Sequence, residues 1–386
     1  MVKKNNIMTN IEIFTEALHS IPDFRKRQGQ RYNLHNLMTI IVLAMSSGSD
    51  DFESMALFCV KKSKFLQEQK LLDGKNYPSH DLFRWIMMSI DKSSLANLLV
   101  MWLEIQEEPK TDNAANEKRL IHLDGKVLCA TRTSEHSRTG LLVLNAYCSN
   151  TSITIGEMMV DKKSCEKKAI PLLIDELYLK NSVVTIDAAG TMTHVATALI
   201  DKGADYILAL KKNNKLFYQE VTDFFKHFTG TKLISDFSQT IDNQGGRVEK
   251  RTCSIITDLR FFPDAEKWKK LKTLIHIRSE RTINGKTAIQ DRYYLSSLDS
   301  GAQALAYAIR RHWTVENNLH WHLDVAFNED KLRLREKNAA LCLAVLRRFV
   351  LTLLKKSKSN ESIKAQRLAL AWDENDLLNL FRINYL

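Results

Sequence analysis

The stretches RLIHLDGK (119–126) and SVVTIDAAG (182–190) decide the fold, because each is a short apolar and β-branched run that stops at an aspartate. Runs of this length and composition read as strands, here Leu120 to Leu123 and Val183 to Ile186. Outward from them, Leu141 to Tyr147 and Ile153 to Val160 read as two more strands. An amphipathic helix from about Lys167 to Tyr178 precedes the second aspartate-ended strand, and a helix from His194 to Lys202 and a strand from Tyr206 to Leu210 follow it.

The order is β-β-β-α-β-α-β. It predicts an α/β fold with an RNase H-like core, a mixed sheet in which the first strand lies beside the fourth and three antiparallel strands form one side. Residues 118–212 would be the first part of that core. Residues 213–300 then read as a β-rich insertion, because about ninety residues are too many for a loop and Thr252 to Leu259, Leu274 to Arg278 and Arg292 to Ser296 are strand-like. A helix from Ala302 through Asn317 and another from Asn338 to Leu354 complete the core over 301–355, and 356–386 reads as a basic helical tail. Upstream, 1–110 reads as a helical domain: apolar stretches begin at Leu34, closed by Gly48, at Phe52 after Asp50 and Asp51, and at Leu82 after Ser79. The polar segment from Glu107 to Lys118, with Pro109, reads as a linker.

With 386 residues and 44% hydrophobic content, the chain can bury a core without staples. Cys59, Cys129, Cys148, Cys165, Cys253 and Cys342 lie far apart, in no zinc-ligand spacing, and read as reduced thiols. No secretory signal follows the basic start, and the longest apolar run, Leu37 to Met45, is well short of a membrane span; a cytoplasmic location is expected. A net charge of +11 favours a polyanionic partner. The excess is uneven: residues 1–110 hold 14 Lys and Arg against 13 Asp and Glu, whereas 331–368 hold 11 against 2. A polyphosphate track is expected there, against the alternative of a solvated helix face.

Asp124 and Asp187 end strands that the strand order makes neighbours, so their carboxylates would project side by side. Two carboxylates held that close require a metal, a proton or a cation; the alternative is that each merely forms the turn after its strand. Ile309, His312, Trp313, Glu316, His320 and Leu323 follow three- and four-residue steps, which predicts Glu316 on a packing face of one helix. A carboxylate there needs a partner, either a metal shared with the two aspartates or Arg310 or Arg311. Three such carboxylates suit a hard cation, Mg²⁺ with Mn²⁺ as substitute, and two ions about 4 Å apart could act on both sides of a phosphodiester.

The chain carries LDGK (123–126), KSCEKKAIP (163–171), VTIDAAG (184–190), DYILALKKNN (205–214), GGRVEKR (245–251), RYYLSSL (292–298) and RHWTVENNLHWHLDVAFNED (311–330). Together these resemble the H-repeat-associated proteins of Rhs elements and similar insertion-sequence transposases of the DDE class, from IPDFR at 21–25 through LRR at 346–348. The resemblance implies a metal-binding triad of Asp124, Asp187 and Glu316 and a helical N-terminal domain. Departures are Cys165 for the usual Asn, Lys212 for Gly, and Gly245 where His commonly precedes GR. Ile309, His312 and Leu323 stand where the broader class places Tyr, Arg and Lys, with Arg311 adjacent as substitute.

Family context and charge make Lys126, Lys211, Arg247, Arg251 and Arg311 candidates for phosphate contacts. Trp313 and Trp321 are candidates for base stacking, with core packing as the alternative. His312, His320 and His322 read as packing or phosphate contacts rather than zinc ligands, and Asp324, Glu329 and Asp330 as salt-bridged or supporting carboxylates. The expected function is transposition: hydrolysis at element ends, then attack of the freed 3′-hydroxyl on target DNA. Double-stranded DNA, as terminal inverted repeats and target, is the expected partner of a homodimer. The alternatives are a degenerate DNA-binding relative and a nuclease without strand transfer.

Overall fold

The structure, a computed structural model, describes residues 9–105, 118–131, 140–160, 166–331, 334, 336–357 and 359–381. Most of the expected linker (107–117), Cys165, and Arg333, Arg335 and Lys358 of the basic segment lie outside them.

Six helices come first: α1 (Asn10–Ala17), α2 (Leu34–Ser46), α3 (Phe52–Lys61), α4 (Ser63–Glu68), α5 (His80–Ser89) and α6 (Lys92–Ile105). Their starts follow local chemistry. Asn33, Asp51 and Ser79 accept backbone N–H bonds at the first turns of α2, α3 and α5. Helix α1, which the apolar pattern alone did not predict, opens with a capping box of Thr9 and Glu12.

Among the described residues nine strands form one sheet, in the order β3-β2-β1-β4-β5-β9-β8-β7-β6. They are β1 (Arg119–Leu128), β2 (Leu141–Cys148), β3 (Ile153–Val160), β4 (Ser182–Ile186), β5 (Asp205–Leu210), β6 (Asp236–Gln244), β7 (Arg247–Ile256), β8 (Thr273–Ile283) and β9 (Lys286–Ser296). The expected adjacency holds: β1 pairs parallel with β4 and antiparallel with β2. The strands expected as an insertion are continuous with this sheet, because β9 pairs antiparallel with β5 from Ile207↔Ser296 to Leu210↔Tyr293.

Helices α7 (Glu166–Glu176), α8 (Thr193–Asp201) and α9 (Lys215–Phe228) cover one face. They pack on Ile121, Leu123, Leu142, Leu144, Val184, Ile186 and Leu208. Alternation sends Leu120, Val183 and Ile207 to the other face, against α10 (Ala302–Arg311). Two short helical pieces come next, a π-helical turn at Val315–His320 and α11 (Trp321–Val325), and then α12 (Lys337–Lys356), α13 (Ile363–Trp372) and α14 (Glu374–Asn379).

The N-terminal helices share one hydrophobic cluster with α12 to α14 and with Tyr147 and Ile153 of the sheet. The described part of the C-terminal segment is helical and packed, with Leu370, Leu377 and Phe381 buried in that cluster. Phe14 lies at its centre: fully buried, it stacks on Phe381 at 4.3 Å and Phe349 at 5.5 Å and meets the edge of Trp102 at 5.3 Å. Phe14→Ala should lower the unfolding free energy by about 3–5 kcal/mol, read from urea denaturation.

The basic segment also departs from expectation. Arg347, Arg348 and Arg367 are buried and turned to the carboxylates of Glu329 and Asp50 inside the protein. Arg348 Nη1 donates to Glu329 at 3.0 Å, and Arg367 donates to Asp50 and to the Met45 carbonyl at 2.7 Å. A buried guanidinium without such partners would cost several kcal/mol. No single helix among the described residues is long and apolar enough to cross a membrane.

Candidate active site

The ladder between β1 and β4 runs from Arg119↔Ser182 to Leu123↔Ile186. Asp124 and Asp187 are the next residues of the two strands, and neighbouring strands lie about 4.8 Å apart, so register sets the two carboxylates side by side. Strand β1 does not stop at Asp124, as expected from sequence. It continues to Leu128 because β2 keeps pairing with it, Asp124 opposite Asn145. Strand β4 does stop: Asp187 Oδ1 accepts from the Ala189 N–H at 2.9 Å and caps a 3₁₀ turn, Ala188–Gly190. Gly190 is needed there, since a Cβ would lie 2.5 Å from Ile186 Cγ2 and 2.7 Å from Ile170 Cδ1.

Alternation along β1 puts His122, Asp124 and Lys126 on the α10 side of the sheet. An open cavity of about 570 Å³ lies on that side, walled by Asp124, Asp187 and Glu316, by Lys211 and Lys212 after β5, and by Arg292, Tyr293 and Tyr294 of β9. The structure thus brings the three predicted carboxylates to one cavity. Glu316, however, does not sit on a packing face. Helix α10 ends at Arg311, and the π-helical turn shifts the helical phase from Val315 onward, leaving Glu316 exposed while Val315 and Leu319 are buried. Such π segments occur frequently at functional sites.

Among the described residues no group of three or more His, Cys, Asp or Glu side chains stands close enough to be a ready-made metal shell. The cavity nonetheless offers the donor chemistry a hard cation takes, carboxylate oxygens with two of them adjacent in register.

A chain of hydrogen bonds runs from the interior to this wall, where Thr185 and His312 line the cavity. Ser149 Oγ meets His122 Nε2 at 2.8 Å, His122 Nδ1 meets Thr185 Oγ1 at 2.6 Å, and Thr185 Oγ1 meets His312 Nδ1 at 2.6 Å. Burial pushes His122 down to about 2, reinforced by His312 and Arg311, and His312 down to about 4 against the pull of Asp187. His320 lies 3.5 Å from Asp124 and is pushed down to about 3 by burial and by Arg348, Lys126 and His312.

The remaining candidates are scattered. Lys126 is buried and held by Asp324 at 2.6 Å and Asp330 at 3.4 Å, so its charge is matched internally. Arg311 is turned to the Ser149 carbonyl. Lys211 is exposed on the cavity wall. Arg247 and Arg251 lie on β7, away from the cavity, paired with Glu249 and, for Arg251, with Asp242 at 2.6 Å. Trp313 is 46% exposed at the cavity with the Arg292 guanidinium 5.2 Å from its ring centre, whereas Trp321 is exposed elsewhere. Sequence pattern missed Asn145, Arg348 and Arg292: an isolated polar residue in an apolar strand or helix marks a buried partner only once the partner is known.

Residues 115–353 match the family described as Transposase DDE domain, and residues 15–103 match the family described as DDE_Tnp_1-associated. The chain belongs to the DDE-domain transposase family, and a transposase role follows. The chain is similar to "Putative transposase YncI" of Escherichia coli O157:H7, 28% identical over 353 residues that cover 90% of this chain and 89% of that protein. It is also similar to "H repeat-associated putative transposase YhhI" of Escherichia coli K12, 28% identical over 350 residues, covering 89% and 90%. A cryo-EM structure of the piggyBac transposase synaptic complex with hairpin DNA aligns with a TM-score of 0.42 at 13% identity, over 97% of this chain and 78% of that one.

Proposed function

We propose that the chain is an insertion-sequence transposase that cuts the ends of its own element and joins the freed 3′-hydroxyl to target DNA, with Asp124, Asp187 and Glu316 as its acting carboxylates. One observation carries the reading: register aligns Asp124 with Asp187, and Glu316 faces the same cavity. The strand order β3-β2-β1-β4-β5 supports an RNase H-like core, with 1–110, 118–212, 213–300, 301–355 and 356–386 as its successive parts. The three carboxylates would hold Mg²⁺, or Mn²⁺ in its place, as two ions that polarise the phosphodiester and stabilise the leaving oxygen. The protein's own task is positioning. Asp187 is fixed by its cap on Ala189, Asp124 by the ladder to β2, and Glu316 stays free to move toward substrate.

DNA is best accommodated along the face of β6 to β9 on which α10 packs. Alternation places Arg247, Arg251, Arg281, Lys286 and Arg292 on that face, with Arg310 of α10 beside them and Asp242 and Glu249 opposing. Strand β9 runs past the end of β5, so this face leads out of the cavity. The double variant Arg281→Ala, Lys286→Ala should reduce the salt slope of binding to an element end by roughly 1.8, at about 0.9 for each phosphate no longer neutralised. An unchanged slope removes this face from the interface.

The decisive assay incubates the purified protein with Mg²⁺, a labelled element end and a target plasmid. Cutting followed by joining is expected; cutting alone marks a nuclease, and binding without cutting a degenerate relative. A homodimer, the simplest assembly that holds two element ends at once, is checked by light scattering with DNA bound.

A further inference from the structure

We propose that His320 is a positioning residue that holds the Asp124 carboxylate through an Nδ1–H bond, its tautomer dictated by Asn145 and Arg348. The inference deepens the reading of Asp124 as a metal ligand and rests on it.

The geometry favours one assignment. Arg348 Nε lies 2.6 Å from the Asn145 side chain, and a guanidinium can only donate. The Asn145 atom facing it must therefore be Oδ1, which fixes an amide orientation that otherwise has to be inferred. The other amide atom, Nδ2, donates to the Val143 carbonyl at 3.0 Å, and its second hydrogen is shared between the Asp124 carbonyl and His320 Nε2, each at 3.4 Å. A donor faces Nε2, so Nε2 is the acceptor and the ring proton sits on Nδ1. Nδ1 lies 3.5 Å from Asp124 Oδ2. A hydrogen bond from it would fix the orientation of the carboxylate.

The chain behind His320 is rigid. Asn145 and Arg348 are 0% and 2% exposed, and Arg348 is held in turn by Glu329 at 3.0 Å and the Ala344 carbonyl at 2.8 Å. A second proton, on Nε2, would face the Asn145 N–H. An imidazole that donates to a ligand carboxylate fixes its orientation, and loss of such a partner typically lowers metal affinity about 10–100-fold.

The test uses the full chain without DNA. Long-range ¹H–¹⁵N spectra of the wild type should show His320 as the Nδ1–H tautomer; an Nε2–H signature overturns the proposal. Mn²⁺ binding, followed by electron paramagnetic resonance, should weaken about 10–100-fold in His320→Leu. It should recover in His320→Asn, whose amide can replace Nδ1, but not in His320→Gln. Wild-type Mn²⁺ affinity in His320→Leu overturns the proposal, as does equal loss in the Asn and Gln variants. Asn145→Asp, which presents an acceptor to Nε2, should move the ring proton to Nε2; a retained Nδ1–H also overturns it. Asp124→Ala separates the underlying reading: if that variant binds Mn²⁺ like the wild type, Asp124 is not a ligand whatever the tautomer of His320.

Discussion

Asp187→Ala is expected to bind a labelled element end as tightly as the wild type and to cut it at least about 10³-fold more slowly. A bound divalent cation contributes several kcal/mol of charge stabilisation to phosphoryl transfer, and each 1.36 kcal/mol is tenfold in rate. Removing a carboxylate that the register places beside Asp124 should forfeit much of that. Binding should persist because the cations assigned to DNA lie along β6 to β9 and α10, on other elements. The substitution also removes the cap on Ala189, worth about 1 kcal/mol, so Asp187→Asn is the companion variant: it keeps a capping oxygen and loses the charge. Gel-shift and cleavage assays on both variants check the result. Cleavage within tenfold of wild type in either would remove Asp187 from the mechanism.

Much of the candidate site was legible because a strand is a local object. Runs such as SVVTI are buried on both sides and read as continuous apolar stretches, so the adjacency of β1 and β4, and with it the pairing of Asp124 and Asp187, followed from element order. Glu316 was legible as a residue but not as a geometry. Three- and four-residue spacing presumes an unbroken α-helix, and the turn after Arg311 followed by a π segment defeats that phase. Strand β6 was missed because Phe237 and Ile241 are exposed on an edge strand, without the alternation that burial would impose. The basic segment misled for a different reason: counting charge along a sequence cannot distinguish an arginine facing DNA from Arg347 or Arg348, which face Glu329 in the interior.

That interior makes the protein acid-sensitive. Three histidines beside the cavity should together withdraw about 6 kcal/mol of stability between pH 7 and pH 5, set against the roughly 5–15 kcal/mol typical of a folded domain. His122, buried, and His312 and His320, half-buried beside the cavity, are held at about 2, 4 and 3, whereas an unfolded chain binds protons near 6.5. A folded pKa lying below the unfolded one gives stability that is present above pH 6.5 and lost as pH falls toward the folded value. At pH 5 the loss is about 2 kcal/mol for each histidine, from about 1.4 kcal/mol per unit. Glu157 and Asp50 act in the opposite sense, because burial raises their carboxyl groups and the folded state gains from their protonation; the trend must therefore be assigned by variant. His122→Gln cannot take up the proton in either state, so its stability should change by about 2 kcal/mol less over the same interval. Urea titrations at the two pH values measure both slopes. A parallel pH dependence in wild type and His122→Gln would mean that His122 accepts its proton without unfolding, and that the chain from Ser149 to His312 is not closed to charge.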